Sequence, residues 1–137
     1  MIMLNSPLSC VRRTGVTREA SIIDVGGGAS TLVDEGYTSV AVLDLSEAAL
    51  AVSQSRLGQR AAAVSWLVGD ITRVELPRHA YDVWHDRAVF HFLTSQRERE
   101  AYLQAVLRAV KPWWACHRRD VCRGRPRKMQ WLACDAL

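Results

Sequence analysis

The stretch Ile22-Ile23-Asp24-Val25-Gly26-Gly27-Gly28-Ala29-Ser30-Thr31 restricts this chain more than any other. A β-branched run ends on an acid and breaks into three glycines. Helix-starting residues follow at Ser30 and Thr31. The pattern predicts a buried strand, a tight turn and a helix N-terminus. Glycine tolerates positive φ and lets the backbone approach a ligand closely. The first helical turn leaves N–H groups unpaired and aimed at whatever binds there. Such a strand–turn–helix unit is the ligand-cradling element of open α/β sheets.

The remaining pattern supplies the sheet. Residues 20–25 are too uniformly apolar for an edge strand. Residues 39–45 (Ser-Val-Ala-Val-Leu-Asp-Leu) read as a second buried strand, residues 64–68 as a third, and residues 81–86 (Tyr-Asp-Val-Trp-His-Asp) as a fourth. Between them, residues 30–35 allow at most two helical turns. Ser46 is placed to cap a helix over 47–57, with Leu50 and Leu57 on one face, Ala49 and Val52 widening it, and Gly58 as the stop. Ser95 and Glu98 form a capping box for a helix that lines up Leu103, Val106, Leu107 and Val110 and ends at Lys111-Pro112. A short helix is expected over 5–14. Strands alternating with helices predict parallel pairing in a doubly wound sheet. Ligands bind such sheets at the carboxyl ends of the strands. Those ends carry Asp24, Asp44, Asp70 and Asp86.

At 137 residues the chain is long enough for one domain with a sizeable core. No apolar run approaches the ~20 residues of a membrane helix, and the first residues lack the basic start and long apolar run of a signal peptide. A cytoplasmic protein is the expectation. The net charge of +4 is unevenly spread. Residues 1–110 hold 11 Lys+Arg against 12 Asp+Glu, and residues 111–137 hold 7 against 2. Cys116, Cys122, Cys134, Trp113, Trp114 and Trp131 also crowd into that basic segment. The cysteine spacings fit no paired metal pattern, so no metal site is expected.

Three ligand readings compete. A dinucleotide site wants Gly-x-Gly-x-x-Gly, but Thr31 stands at the third position and Asp24 would repel a pyrophosphate. A turn with solvated strand-end acids is the plain structural reading. The third is a nucleoside bearing a cationic group and no phosphates.

Asp24-x-Gly26-x-Gly28-x-Ser30 resembles motif I of the class I S-adenosylmethionine-dependent methyltransferases. The likeness continues through Asp44 after Val40-Ala41-Val42-Leu43, through Gly69-Asp70-Ile71, and through the segment from Tyr81 to Leu93; it covers residues 15–112. It implies a Rossmann-like, doubly wound, mostly parallel α/β sheet, of strand order about 3-2-1-4 with room for a fifth strand, and S-adenosyl-L-methionine as cofactor. By the same resemblance Gly26, Gly27, Gly28 and Ser30 form the cradle, with Gly26 and Gly28 passing under the cofactor. Asp24 orients the turn or the cofactor's amino end. Asp44, with Leu45 beside it, holds the ribose hydroxyls, a task suited to a carboxylate that accepts both protons. Asp70 accepts from the adenine amine, and Ile71 packs on the ring. His85 borders the methionine moiety. His85, Asp86 and His91 are candidates for a general base, needed where the acceptor must lose a proton, and His91 reads equally as a core residue between Phe90 and Phe92. Arg87 could pair with Asp86 or meet an acidic acceptor. The acceptor, a small molecule or a protein side chain, is not legible.

The chain departs from that family twice. Thirteen residues, 26–38, join the first two strands, near the minimum of about a dozen for a parallel crossover. After Pro112 the family's Gly-Gly and fifth strand are replaced by Trp113-Trp114 and a basic run. Trp113-Trp114-Ala115 is encoded TGG TGG GCN, which one nucleotide later reads Gly-Gly. Residues 113–137 are therefore expected to be a frameshifted segment on a domain left incomplete at its C-terminal side. Such a segment is expected to be disordered or to form an adventitious helix or strand. The alternative functions are a non-catalytic remnant whose basic segment binds nucleic acid and a dinucleotide-dependent oxidoreductase.

Overall fold

The computed structural model describes residues 16–86, 89–111 and the strand 131–133. Five strands form one sheet: β1 (Ser21–Val25), β2 (Ser39–Asp44), β3 (Ser65–Val68), β4 (Val83–Asp86) and β5 (Trp131–Ala133). Their order is β3-β2-β1-β4-β5, and every pairing is parallel. The expected 3-2-1-4 arrangement is the one observed, with β5 laid against the outer edge of β4. The expected helix over 5–14 lies outside the described residues, as do Arg87, the His91 side chain and the rest of the basic segment.

Helices cover both faces. The helix α1 (Ser30–Asp34) and the helix α2 (Glu47–Leu57) lie on one, α3 (Gln96–Ala109) on the other. Side-chain alternation along the strands divides the core accordingly. Ile22, Val40, Val42 and Val83 pack with Leu32, Leu50 and Leu57. Ile23, Val25, Leu43 and Trp84 pack with Tyr102, Val106 and Ala109.

The helix starts follow the sequence closely. Ser46 Oγ accepts from Ala49 N at 3.1 Å, and Gly58 takes φ 62° just past the end of α2. Ser95 Oγ accepts from Glu98 N at 3.1 Å at the start of α3. The buried faces are narrower than expected. Ala49 and Val52 are exposed, so α2 meets the sheet through the single stripe of Leu50 and Leu57. On α3 Leu107 is 52% exposed, and the inward face is Tyr102, Val106 and Ala109. Tyr102 anchors that face because it is amphipathic: its ring packs edge-on to Trp84 while its hydroxyl accepts from Trp84 Nε1 at 2.9 Å. A pattern of purely apolar positions passes over such a residue.

The short first crossover is real. Between Val25 and Ser39 there is room only for the five-residue α1. From Gly69 to Asp82 the chain runs without a helix and is tied to the C-terminal end of α3: His79 N donates to Arg108 O at 2.8 Å and Ala80 N to Ala109 O at 2.8 Å. Lys111 Nζ pairs with Asp82 Oδ1 at 2.9 Å and fastens the residue after the helix to the start of β4. No helix among the described residues is long and apolar enough to cross a membrane.

Candidate functional site

Parallel strands end together, so the loops leaving β1, β2, β3 and β4 gather at one edge of the sheet. A cleft of about 310 Å³ opens there, at the lower end of the roughly 300–1,000 Å³ usual for ligand pockets. Gly26, Asp44, Leu45, Asp70 and Ile71 line it. Five of the residues picked from the sequence are thus brought to one place by three separate strand ends.

Each strand-end acid in the cleft is held by the turn it starts. Asp44 Oδ1 accepts from Ser46 N at 2.9 Å. Asp70 Oδ1 accepts from Thr72 N at 2.9 Å and Thr72 Oγ1 at 2.7 Å. These are Asx turns, in which the side chain substitutes for a backbone acceptor. Both leave Oδ2 without a protein partner among the described residues. The Thr72 hydroxyl and amide favour the charged carboxylate and hold Asp70 below the usual carboxylate range.

The other wall comes from residues that the sequence reading did not assign to the site. Val89, Phe92, Leu93 and Glu98 line the cleft opposite the strand-end acids. Phe92 is 78% exposed and Leu45 72%, the two most exposed large apolar side chains among the described residues. Both line the cleft, so its walls offer apolar surface that the protein itself does not cover. Phe92 had a readable signal in the run Phe90-His91-Phe92. Glu98 was accounted for as the capping-box partner of Ser95, which hid that its side chain faces the cleft. Val89 and Leu93 entered only as part of the segment from Tyr81 to Leu93 that carries the resemblance.

The remaining candidates lie elsewhere. Asp24, Gly27, Gly28, Ser30 and His85 line a separate chamber of about 70 Å³, with Arg56 from α2. Asp24 is 3% exposed. Its Oδ1 accepts from His85 Nδ1 at 2.9 Å, and its Oδ2 accepts from Ala29 N at 3.2 Å. The carboxylate therefore spans the glycine turn from below. Gly27 is the residue that permits this, because a Cβ there would lie inside the Asp24 carboxylate. At Gly26, which has φ 75°, a Cβ would come 2.6 Å from Val89 Cγ2. Gly28 is different: a Cβ would meet Ser53 Oγ at an ordinary 3.4 Å. The turn's left-handed step into α1 is taken by Ala29, with φ 62°. Within the protein, Gly26 and Gly27 are thus the sterically required pair, where the resemblance singled out Gly26 and Gly28.

His85 and Asp86 do not form one group. They are neighbours on β4 and point to opposite faces of the sheet. His85 sits beside Asp24 in the register of β1 and β4. Asp86, 1% exposed, turns toward α3. Its Oδ1 accepts from Val89 N at 2.7 Å and its Oδ2 from Phe90 N at 3.1 Å, while Tyr102 donates its hydroxyl to Oδ2. Both carboxylate oxygens are thus engaged in building the 3-10 segment Val89–Phe92 and tying it to α3.

Known proteins share this fold. A family profile described as a methyltransferase domain matches residues 22–113, two thirds of the chain. No curated protein sequence matches at a significant level. Among solved structures, phosphoethanolamine N-methyltransferase 2 of Haemonchus contortus, in complex with phosphomonomethylethanolamine and S-adenosylhomocysteine, superposes with a TM-score of 0.66 at 25% identity. The match covers 79% of this chain and 26% of that one. An S-adenosylmethionine-dependent methyltransferase of Mesorhizobium loti gives a TM-score of 0.62 at 20% identity, covering 80% of this chain and 51% of that one. The [4+2]-cyclase SpnF gives 0.68 at 16% identity, with 80% and 41% covered. The chain spans about half or less of the length of these proteins. The last of them shows that the fold alone does not fix the reaction. The match over β1 to the end of α3 assigns this chain to the methyltransferase domain family, the class I S-adenosylmethionine-dependent methyltransferases.

Proposed function

We propose that this chain binds S-adenosylmethionine in the cleft at the strand ends and belongs to an enzyme that transfers its methyl group to an acceptor nucleophile. The observation that supports this most is the pairing of Asp44 and Asp70 across one cleft, each with one carboxylate oxygen committed to its own turn and the other uncommitted. A carboxylate fixed in that way is a preorganised acceptor for hydroxyl or amine protons. Asp44 is the acceptor for the ribose hydroxyls, and Asp70 with Ile71 receives the adenine. Gly26 lets the backbone of the turn form the floor, and Leu45 and Phe92 supply apolar surface at the walls. When bound, the cofactor supplies an electrophilic methyl group on a sulfonium sulfur. The chain's own contribution is binding and alignment, which provides most of the acceleration for an in-line displacement.

Asp86 serves this site as a positioning residue: it builds the wall that carries Val89 and Phe92. With both oxygens engaged, it is a poor place to receive an acceptor's proton.

Isothermal titration of S-adenosylhomocysteine tests the proposal. Micromolar binding is expected, with a loss of roughly 10–100-fold in Asp44→Ala, the range for removing a charged hydrogen-bond acceptor. Absence of heat at millimolar ligand overturns it.

A second reading, a non-catalytic remnant, draws support from the family match ending at residue 113, where the basic segment begins. On that reading residues 1–112 are a partial cofactor-binding domain and residues 113–137 a frameshifted attachment. Salt-sensitive nucleic-acid binding that disappears when 113–137 are removed would favour it over the enzyme. The nucleotide sequence decides the frameshift: an early stop in the shifted frame rules it out.

A further inference from the structure

His85 has a claim on the site that its chemistry as a base does not explain. It is fully buried, and it does not line the cleft of Asp44 and Asp70. Its Nδ1 faces a carboxylate, which can only accept, so Nδ1 carries the proton. Its Nε2 is buried without a hydrogen-bond partner among the described residues. A buried polar atom that the protein leaves unpartnered must hold a water or cost stability, and a native structure keeps one only for a reason. A leucine or phenylalanine would fill the same space without that cost. What neither could do is donate to Asp24.

Asp24 is the other half of the argument. Its second oxygen receives the amide of Ala29 at 3.2 Å, the residue that takes φ 62° where the glycine turn enters α1. A non-glycine residue in this conformation is held there by its surroundings. The bonds run in series: imidazole Nδ1–H to carboxylate, carboxylate from backbone N–H.

We infer that His85 is a positioning residue for the glycine turn: it donates to Asp24, which fixes the Ala29 amide and so the turn, while its Nε2 is completed by water in the chamber it lines. At about 70 Å³ the chamber has room for one or two water molecules at about 30 Å³ each. The cofactor consequence rests on the reading given under the proposed function. The relay itself does not.

Three variants and two measurements test it. The amide nitrogen of asparagine can stand where Nδ1 stands, that of glutamine where Nε2 stands, and leucine offers neither. His85→Asn should therefore keep the hydrogen exchange of the Ala29 amide and the affinity for S-adenosylhomocysteine within about threefold of wild type. His85→Gln and His85→Leu should weaken binding roughly tenfold and speed Ala29 exchange by a similar factor. In the unaltered chain, two-bond nitrogen–proton correlation of the ring removed by these variants should show the proton on Nδ1. A proton on Nε2 with none on Nδ1 overturns the proposal. So does equal behaviour of the Asn and Leu variants in the exchange measurement, which needs no ligand. Should the wild-type chain fail to bind S-adenosylhomocysteine, the cofactor reading falls, and the exchange and proton measurements still decide the relay. Should His85→Leu fail to fold, the Asn and Gln pair gives the same comparison.

Discussion

Three consecutive glycines look equivalent in the sequence and are not equivalent in the fold. Gly27 leaves room for the Asp24 carboxylate, whereas Gly28 faces only ordinary contact distances. Gly27→Ala should cost upwards of about 2 kcal/mol, because the carboxylate must move and leave His85 Nδ1 and the Ala29 amide unpaired. Gly28→Ala should cost less than about 1 kcal/mol, and comparison of urea midpoints checks the contrast. A single sequence shows that glycine is present without showing what its missing β-carbon avoids. Asp70 allows a pH test. Its two bonds from Thr72 lower its pKa in the folded chain, so its contribution to stability is complete above the usual carboxylate range and is lost as pH falls through the folded value. The group is exposed, so the contribution is small and screened by solvent. Thr72→Val should move the Asp70 titration midpoint upward in an NMR titration while leaving the backbone bond to carry part of the shift. The acids Asp44 and Asp70 were legible because each ends an apolar strand. Glu98 was not, because its place in the cleft depends on where α3 docks.

At the scale of elements, β4 joins two constructions. One face of the strand gives His85 to the glycine turn, and the other gives Trp84 and Asp86 to α3. Tyr102 is the junction on that second face: it accepts from Trp84 Nε1 and donates to Asp86 Oδ2. Tyr102→Phe keeps the ring and deprives both partners. It should cost about 1–3 kcal/mol in chemical denaturation, with loosening of Val89–Phe92 visible as faster amide exchange there. Strand and helix positions were readable because period-two and period-3.6 patterns with Ser46 and Ser95 caps leave few alternatives. Which face of α3 turns inward was less readable. The anchor is a tyrosine, and Leu107 follows the apolar pattern yet lies in solvent.

For the molecule as a whole, the sheet is the frame that makes distant residues neighbours. Asp24 and His85 stand 61 positions apart in the chain and in register on adjacent strands. A ligand that engages four strand ends at once should stabilise the whole domain rather than one loop. Saturation with S-adenosylhomocysteine at a hundred times its Kd should add about 2.7 kcal/mol, or roughly 10 °C in Tm for a domain of this size, measured by calorimetry. A shift confined to one probe would contradict the cooperative picture. The parallel pairing was legible at this scale because alternation of strands and helices permits little else. The pairing of β5 with β4 was not, since residues 131–133 carry no strand pattern of their own.

The meeting of Gly26 with Val89 has a consequence for how wide the cleft can be. The turn after β1 and the segment after β4 touch where a β-carbon at position 26 would stand 2.6 Å from Val89 Cγ2. The aperture between these two walls is thus calibrated by one absent carbon atom. Gly26→Ala would act as a wedge, and trimming its opponent in Gly26→Ala/Val89→Ala should return part of the lost stability. What the second change fails to return measures the strain of an alanine held at φ 75°. A double-mutant cycle separates the two, turning the spacing of the cleft into an adjustable dimension.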